Sequence, residues 1–197
     1  MSGKQFVVRT VALLLAVLVY GGVSSCAKGP GDQVTFSPAT VADYVHAVIE
    51  ADRTFYTIHI VERLQSKGVI TATENWRVTN TLPLPAQFLR ESAELAARTG
   101  SRIGYRLISL WPINKENGPA DEFERAGLQD VQVNQGRAYS RIVTSGGARY
   151  FRAIYADRAV SQACIGCHNA HPNSPKRDFK QNDVMGGIVI SIPLEKP

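Results

Sequence analysis

The chain has 197 residues, 44% of them hydrophobic and 20% charged, with 22 Lys and Arg against 17 Asp and Glu for a formal charge of +5. This is chain enough for one domain with a single core. The positive surplus is mild, and no Lys/Arg run with interleaved aromatics accompanies it, which argues against a nucleic-acid binder.

The chain opens with Lys4 and Arg9, an apolar run of 13 residues from Val11 to Val23, and then small residues. This is the order of a secretory signal, and the run is short of the roughly 20 residues a membrane span needs. Val23-Ser24-Ser25-Cys26 reads as a lipobox, with cleavage before Cys26 and a diacylglycerol on its thiol; ordinary cleavage near Ser25 and an uncleaved anchor are the alternatives. Each places the body outside the cytoplasm, in the periplasm or an equivalent compartment, and the first and third anchor it to a membrane. Residues 1–25 are therefore read as a lipoprotein-type signal peptide, 26–36 as a Gly/Pro-bearing tether, and 37–197 as the domain. Without the first 25 residues the balance is 20 basic against 17 acidic side chains.

Ser37-Pro38 is a cap followed by proline at the first helical position, and it predicts a long helix to about Lys67, stopped by Gly68. At 100° per residue, Val41, Val45, Val48, Phe55 and His59 share one arc of about 80°. That arc is predicted to face the core, with His46 on the opposite, wet side beside Glu50. A second helix is predicted over 83–100, a strand over 102–111, and a turn-rich connection from Pro112 carrying a short helix whose acids Asp121 and Glu122 complement its positive N-terminal end. Two strands joined at Gly146-Gly147 follow as a hairpin, then the Cys-His stretch, a polar loop and a final strand from Gly186. Helices first and antiparallel strands after them make an α+β domain.

The chemistry sits in the stretch QACIGCHNAHP, residues 162–172. The string C-x-x-C-H is the attachment site of haem c, with Cys164 and Cys167 forming thioethers to the vinyl groups and His168 becoming the proximal axial ligand. Chance, at this chain's composition, would produce the triplet in on the order of one such chain in a thousand. Two other readings stand beside it. Zinc could take Cys164, Cys167, His168 and His171, although structural zinc draws its ligand pairs from separated segments. A disulfide is open to any exported pair of cysteines, although it leaves His168 without a reason.

The runs PLPAQFLRESAEL, YRLISLWPINKENGPADEFE, ACIGCH and GGIVISIPL, in this order, resemble an exported single-haem c-type cytochrome family with a PAS-like fold. The likeness covers about residues 40–194. It implies a PAS-like antiparallel sheet with N-terminal helices packed on it, one covalent haem c, and use as a redox sensor or electron-transfer module. Some relatives carry a further cysteine in the early helices; this chain has none to supply as a distal ligand.

For the sixth iron position the candidates are His59, from the apolar arc, and Met185, which opens the last strand; His171, His46, a tyrosine or water remain. Arg149, Arg152 and Lys176 are candidates for pairing with haem propionates. A peroxidase-type enzyme is the weakest reading, because no distal His/Arg pair stands at a readable spacing. The expectation is a non-enzymatic redox or sensory module, with a protein partner in trans and a membrane tether through Cys26, or else a zinc- or disulfide-stabilised interaction domain.

Overall fold

The computed structural model describes residues 34–194, so the predicted leader and Cys26 lie outside the described residues. The chain divides after Thr35, and the unit from Phe36 onward carries everything below.

Helix α1, Pro38–Phe55, starts where the side chain of Ser37 accepts the Thr40 amide at 3.0 Å. It runs without a break into a π-helical segment, Tyr56–Glu62, and one further turn, α2, Arg63–Ser66. Gly68, at φ 65°, then turns the chain away. A small parallel pair follows, β1 (Ala72–Thr73) with β2 (Leu82–Pro83), bracketing the single turn α3 (Trp76–Thr79). Helix α4 spans Pro85–Ala97.

The sheet proper has four strands: β3 (Gly104–Ile108), β4 (Tyr139–Ser145), β5 (Ala148–Arg158) and β6 (Val184–Pro193), in the order β3-β6-β5-β4 and antiparallel throughout. The β4–β5 hairpin turns at Gly146 (φ 58°) and Gly147 (φ 80°), a backbone that L-residues with side chains resist. Between β3 and β4 lies α5, Glu122–Val133, capped by Asp121, whose carboxylate accepts the Glu124 amide at 2.8 Å. The short helix of the sequence reading is thus a helix of twelve residues.

Both faces of the sheet are covered. Ile188 and Ile190 of β6 pack with Ala42, Ile49 and Leu89 beneath α1 and α4, while the intervening Val189 joins Ile108, Leu128, Val131 and Ile154 beneath α5. This explains why β6 reads as an unbroken apolar run rather than an alternating one. A third cluster, Ala159, Phe179 and Met185, extends the core beyond the sheet to Trp111, Cys164 and Ile165. It is this cluster that seats helix α6, Gln162–Ala170, the segment carrying the C-x-x-C-H string.

Candidate functional site

Ser161 caps α6 by accepting the Cys164 amide. Helical spacing then places Cys164, Cys167 and His168 at i, i+3 and i+4, on one face. Cys164 is half-buried, Cys167 is exposed, and neither is in a disulfide. The helix is pinned at several points. The Gln162 amide donates to Glu62 of the π-helical segment at 3.1 Å. The Asn169 side chain clasps the backbone of Phe179, donating to its carbonyl at 2.9 Å and accepting its amide at 3.0 Å. Phe179 in turn stands edge-on to the His168 ring, 5.8 Å between centroids.

His168 is held neutral: burial lowers its pKa below 6.5, and the charges of Arg53 and His171 add to that. Its Nδ1 is buried without a hydrogen-bond partner. An uncharged, desolvated imidazole on the same helical face as two free thiols fits covalent attachment of a haem with axial ligation by His168. It does not fit the rival readings as well. Burial first, then Glu74 and Cys164, push the Cys167 thiol up and away from thiolate. Among the described residues no group of three or more His, Cys, Asp and Glu side chains converges to hold a metal ion. His171 points elsewhere: its Nδ1 accepts the Asn173 amide at 3.1 Å and its Nε2 lies 3.4 Å from Glu74.

The other sequence candidates are distributed in ways the pattern did not foresee. His59 does not face the core. It is exposed on the π-helical segment, its ring 4.9 Å from that of Phe55. Val48 and Phe55, of the same arc, are 62% and 60% exposed. His46, assigned to water, is the inward one, stacked on Tyr155 at 3.9 Å, its buried Nε2 without a hydrogen bond but 3.7 Å from Glu50. The buried face of the helix is made by Ala42, Ile49, Arg53, Thr57 and Val61, its α-helical members Ala42, Ile49 and Arg53 rotated from the apolar arc by roughly 100°. Two physical causes account for this. Arg53 and Thr57 are polar yet paired inside: Arg53 makes a two-pronged ion pair with Asp157 of β5 at 2.9 and 3.0 Å, leaving only its Nε without a partner, and the Thr57 hydroxyl donates to the Arg53 carbonyl at 2.7 Å. Beyond Phe55, moreover, i→i+5 bonding widens the turn and breaks the 100° phase.

Met185 is buried in the cluster beneath α6, with Cys164 and Phe179. Arg152, a sequence candidate for propionate pairing, is engaged with Glu124 and Asp121 on the α5 side of the sheet. Arg149 stands at the hairpin end of β5, the end farther along the strand from α6. Lys176 pairs with Asp178 and sits over the rings of Phe179 and Trp111, at 5.0 and 5.5 Å. The Arg53–Asp157 pair went unread because a lone Arg in a helix and a lone Asp in a strand 104 positions apart carry no joint signal.

The profile of the Tll0287-like family matches residues 32–193. Among solved structures, the crystal structure of the cyanobacterial heme-protein Tll0287 matches with a TM-score of 0.51 and 14% identity, covering 82% of this chain and 99% of that one. At that identity the likeness speaks for the fold: a mixed α+β domain with helices on an antiparallel sheet. No curated protein matches. Since the family profile spans all but the two ends of the chain, this protein belongs to the Tll0287-like family.

Proposed function

We propose that this chain is an exported, membrane-tethered module with a PAS-like fold that holds one haem c on α6 and works in redox sensing or electron transfer with a protein partner, without catalysing a reaction. One observation carries the reading: Cys164, Cys167 and His168, whose Nδ1 is buried, share a face of one capped helix. The relative Tll0287 is described as a heme-protein, which supports the same cofactor here. When bound, the haem supplies a one-electron couple at iron. The residues of this chain do the rest: Cys164 and Cys167 anchor the group, His168 ligates, and Asn169 and Phe179 hold the imidazole in place.

We assign the sixth position to His59. It is an exposed imidazole on the segment that packs against α6, and it needs no core hydrogen bond broken to reach iron. Met185 is the alternative, and its thioether would first have to leave the cluster it fills.

The test is an SDS gel of the exported protein followed by optical and EPR spectra in both oxidation states. Haem-linked peroxidase stain should survive heating, and Cys164→Ala or Cys167→Ala should weaken that covalent retention; a colourless protein with stoichiometric zinc would sink the reading. His59→Ala should convert a low-spin, six-coordinate spectrum to a high-spin one that binds carbon monoxide when ferrous, while His46→Ala leaves the spectrum alone. A low-spin His59→Ala spectrum, together with loss of a methionine–iron band near the red edge in Met185→Ala, would move the ligand to Met185.

A further inference from the structure

We propose that electrons enter and leave this site through a basic docking face centred on Trp111, which receives an acidic surface of a one-electron-transfer protein; this rests on the haem reading above. The observation behind it is a series of rings. From His168 the next aromatic neighbour is Phe179, edge-on at 5.8 Å, and from Phe179 the next is Trp111, edge-on at 5.9 Å. Phe179 is 3% exposed and gripped on both sides of its backbone by Asn169, so the middle ring of the series is fixed. Trp111 then reaches the surface, where it lines a groove of about 550 Å³ together with Lys176, Arg158, Gln132 and Gln135.

The charge of this face selects its partner. Lys176 and Arg158 line the groove with Asp183, and Lys180 is exposed on the loop beside Phe179; against these three cations stand Asp183 and Asp178, the latter paired with Lys176. A net positive face steers a negative one toward it and orients the encounter. Lys176 has a second part in this, because its ammonium lies over both Trp111 and Phe179. A partner carboxylate attracted to Lys176 is therefore brought onto the ring series itself. One electron would cross per encounter: with haem bound, the ferrous iron would be oxidised by one electron and the partner's centre reduced by one, with no bond or proton having to move.

The competing exit is the exposed side of α6 at Cys167, directly from the edge of the bound group. Stopped-flow oxidation of the loaded, ferrous protein separates the two. Ferricyanide serves as an anionic probe and tris(phenanthroline)cobalt(III) as a cationic one, each over a range of ionic strength. The ferricyanide rate should fall with added salt. Lys176→Glu should slow ferricyanide about fivefold at low salt, flatten its salt dependence and accelerate the cobalt probe, as expected for charge reversal within a Debye length. Lys180→Glu, which leaves the ring contacts alone, should act in the same direction. Trp111→Leu should slow both probes while the absorption spectrum and midpoint potential stay as in the wild type. Unchanged rates for both probes in Lys176→Glu and Trp111→Leu would overturn the proposal and leave the Cys167 side as the exit. A wild-type protein that carries no haem would fail earlier, at the spectrum, and would bring down the haem reading rather than the placement of the face alone.

Discussion

Asp157→Ala removes the carboxylate from a buried ion pair that bridges α1 and the sheet. The Arg53 and Asp157 side chains are 8% and 7% exposed, and the guanidinium is held by two bonds at 2.9 and 3.0 Å, with its Nε already without a partner. Alanine leaves a buried cation with nothing to neutralise it, and Arg cannot escape by losing a proton. Stranding one partner of such a pair costs about 3–5 kcal/mol, which for a domain of this size lowers Tm by roughly 10 °C. Arg53→Met should cost less, because the stranded Asp157 can take up a proton. Its pKa is already raised by burial, against the pull of Arg53 and with help from Glu50. The sign follows. A carboxyl whose folded pKa lies above its unfolded value contributes stability that is fully present below the unfolded value and is lost as pH rises through the folded one. Arg53→Met should therefore be closest to wild type at the acid end of the series, near the unfolded carboxyl value, and fall away as pH rises. The double variant Arg53→Met, Asp157→Leu replaces the pair with packed apolar groups and should return to within about 1 kcal/mol of wild type. Thermal melts by circular dichroism at several pH values measure all three. If Asp157→Ala melts within about 2 °C of wild type, less than the shift expected from 1 kcal/mol, the pair is solvated and the reasoning fails.

A Cβ on Gly186 would collide with the backbone oxygen of Ile108 in the neighbouring β3, so Gly186→Ala should cost about 2 kcal/mol in urea melts. Gly127→Ala should cost less, because the obstructing atoms are the ends of the Ile154 and Tyr139 side chains. Burial lowers the pKa of His46 below 6.5 despite Glu50 and Asp43, so its contribution is complete above that value and lost as pH falls through the folded pKa. His46→Phe, which keeps the stack on Tyr155, should flatten the decline in stability below pH 6.5, and an unchanged slope would exclude His46 as its source. Intact mass should find the mature chain beginning at a diacylated Cys26; an unmodified thiol there counts against the lipoprotein reading.

What the sequence revealed about the fold was what its own local chemistry dictates. Ser37-Pro38 and Gly68 mark the two ends of the first helical run, and Gly146-Gly147 places the hairpin, because each acts through backbone geometry within a few residues. Helix α5 was read too short for an instructive reason. Gly127 looks like a stop, yet it sits mid-helix because the helix approaches Ile154 and Tyr139 so closely that a Cβ would not fit. The reason for that glycine lies on other strands, and nothing beside it in the chain discloses it.

The site divides along the same line. Cys164, Cys167 and His168 could be singled out together because the C-x-x-C-H string is local, and the structure places all three on α6. The face of α1 was not legible, since hydrophobicity counts Arg53 and Thr57 as outward when Asp157 and the Arg53 carbonyl have made the interior tolerable for them. That error changes what the assignment of His59 rests on. A core histidine would have needed a partner, iron or a backbone carbonyl. His59 is instead an imidazole in water, on a segment whose π-helical bonding is itself a frequent mark of functional sites. Its lone pair is available, and no buried contact has to be given up for it to reach iron. His46, stacked on Tyr155 beneath the helix, would have to unpack first. Exposure thus removes one argument for the proposed ligation by His59 and supplies another, its accessibility.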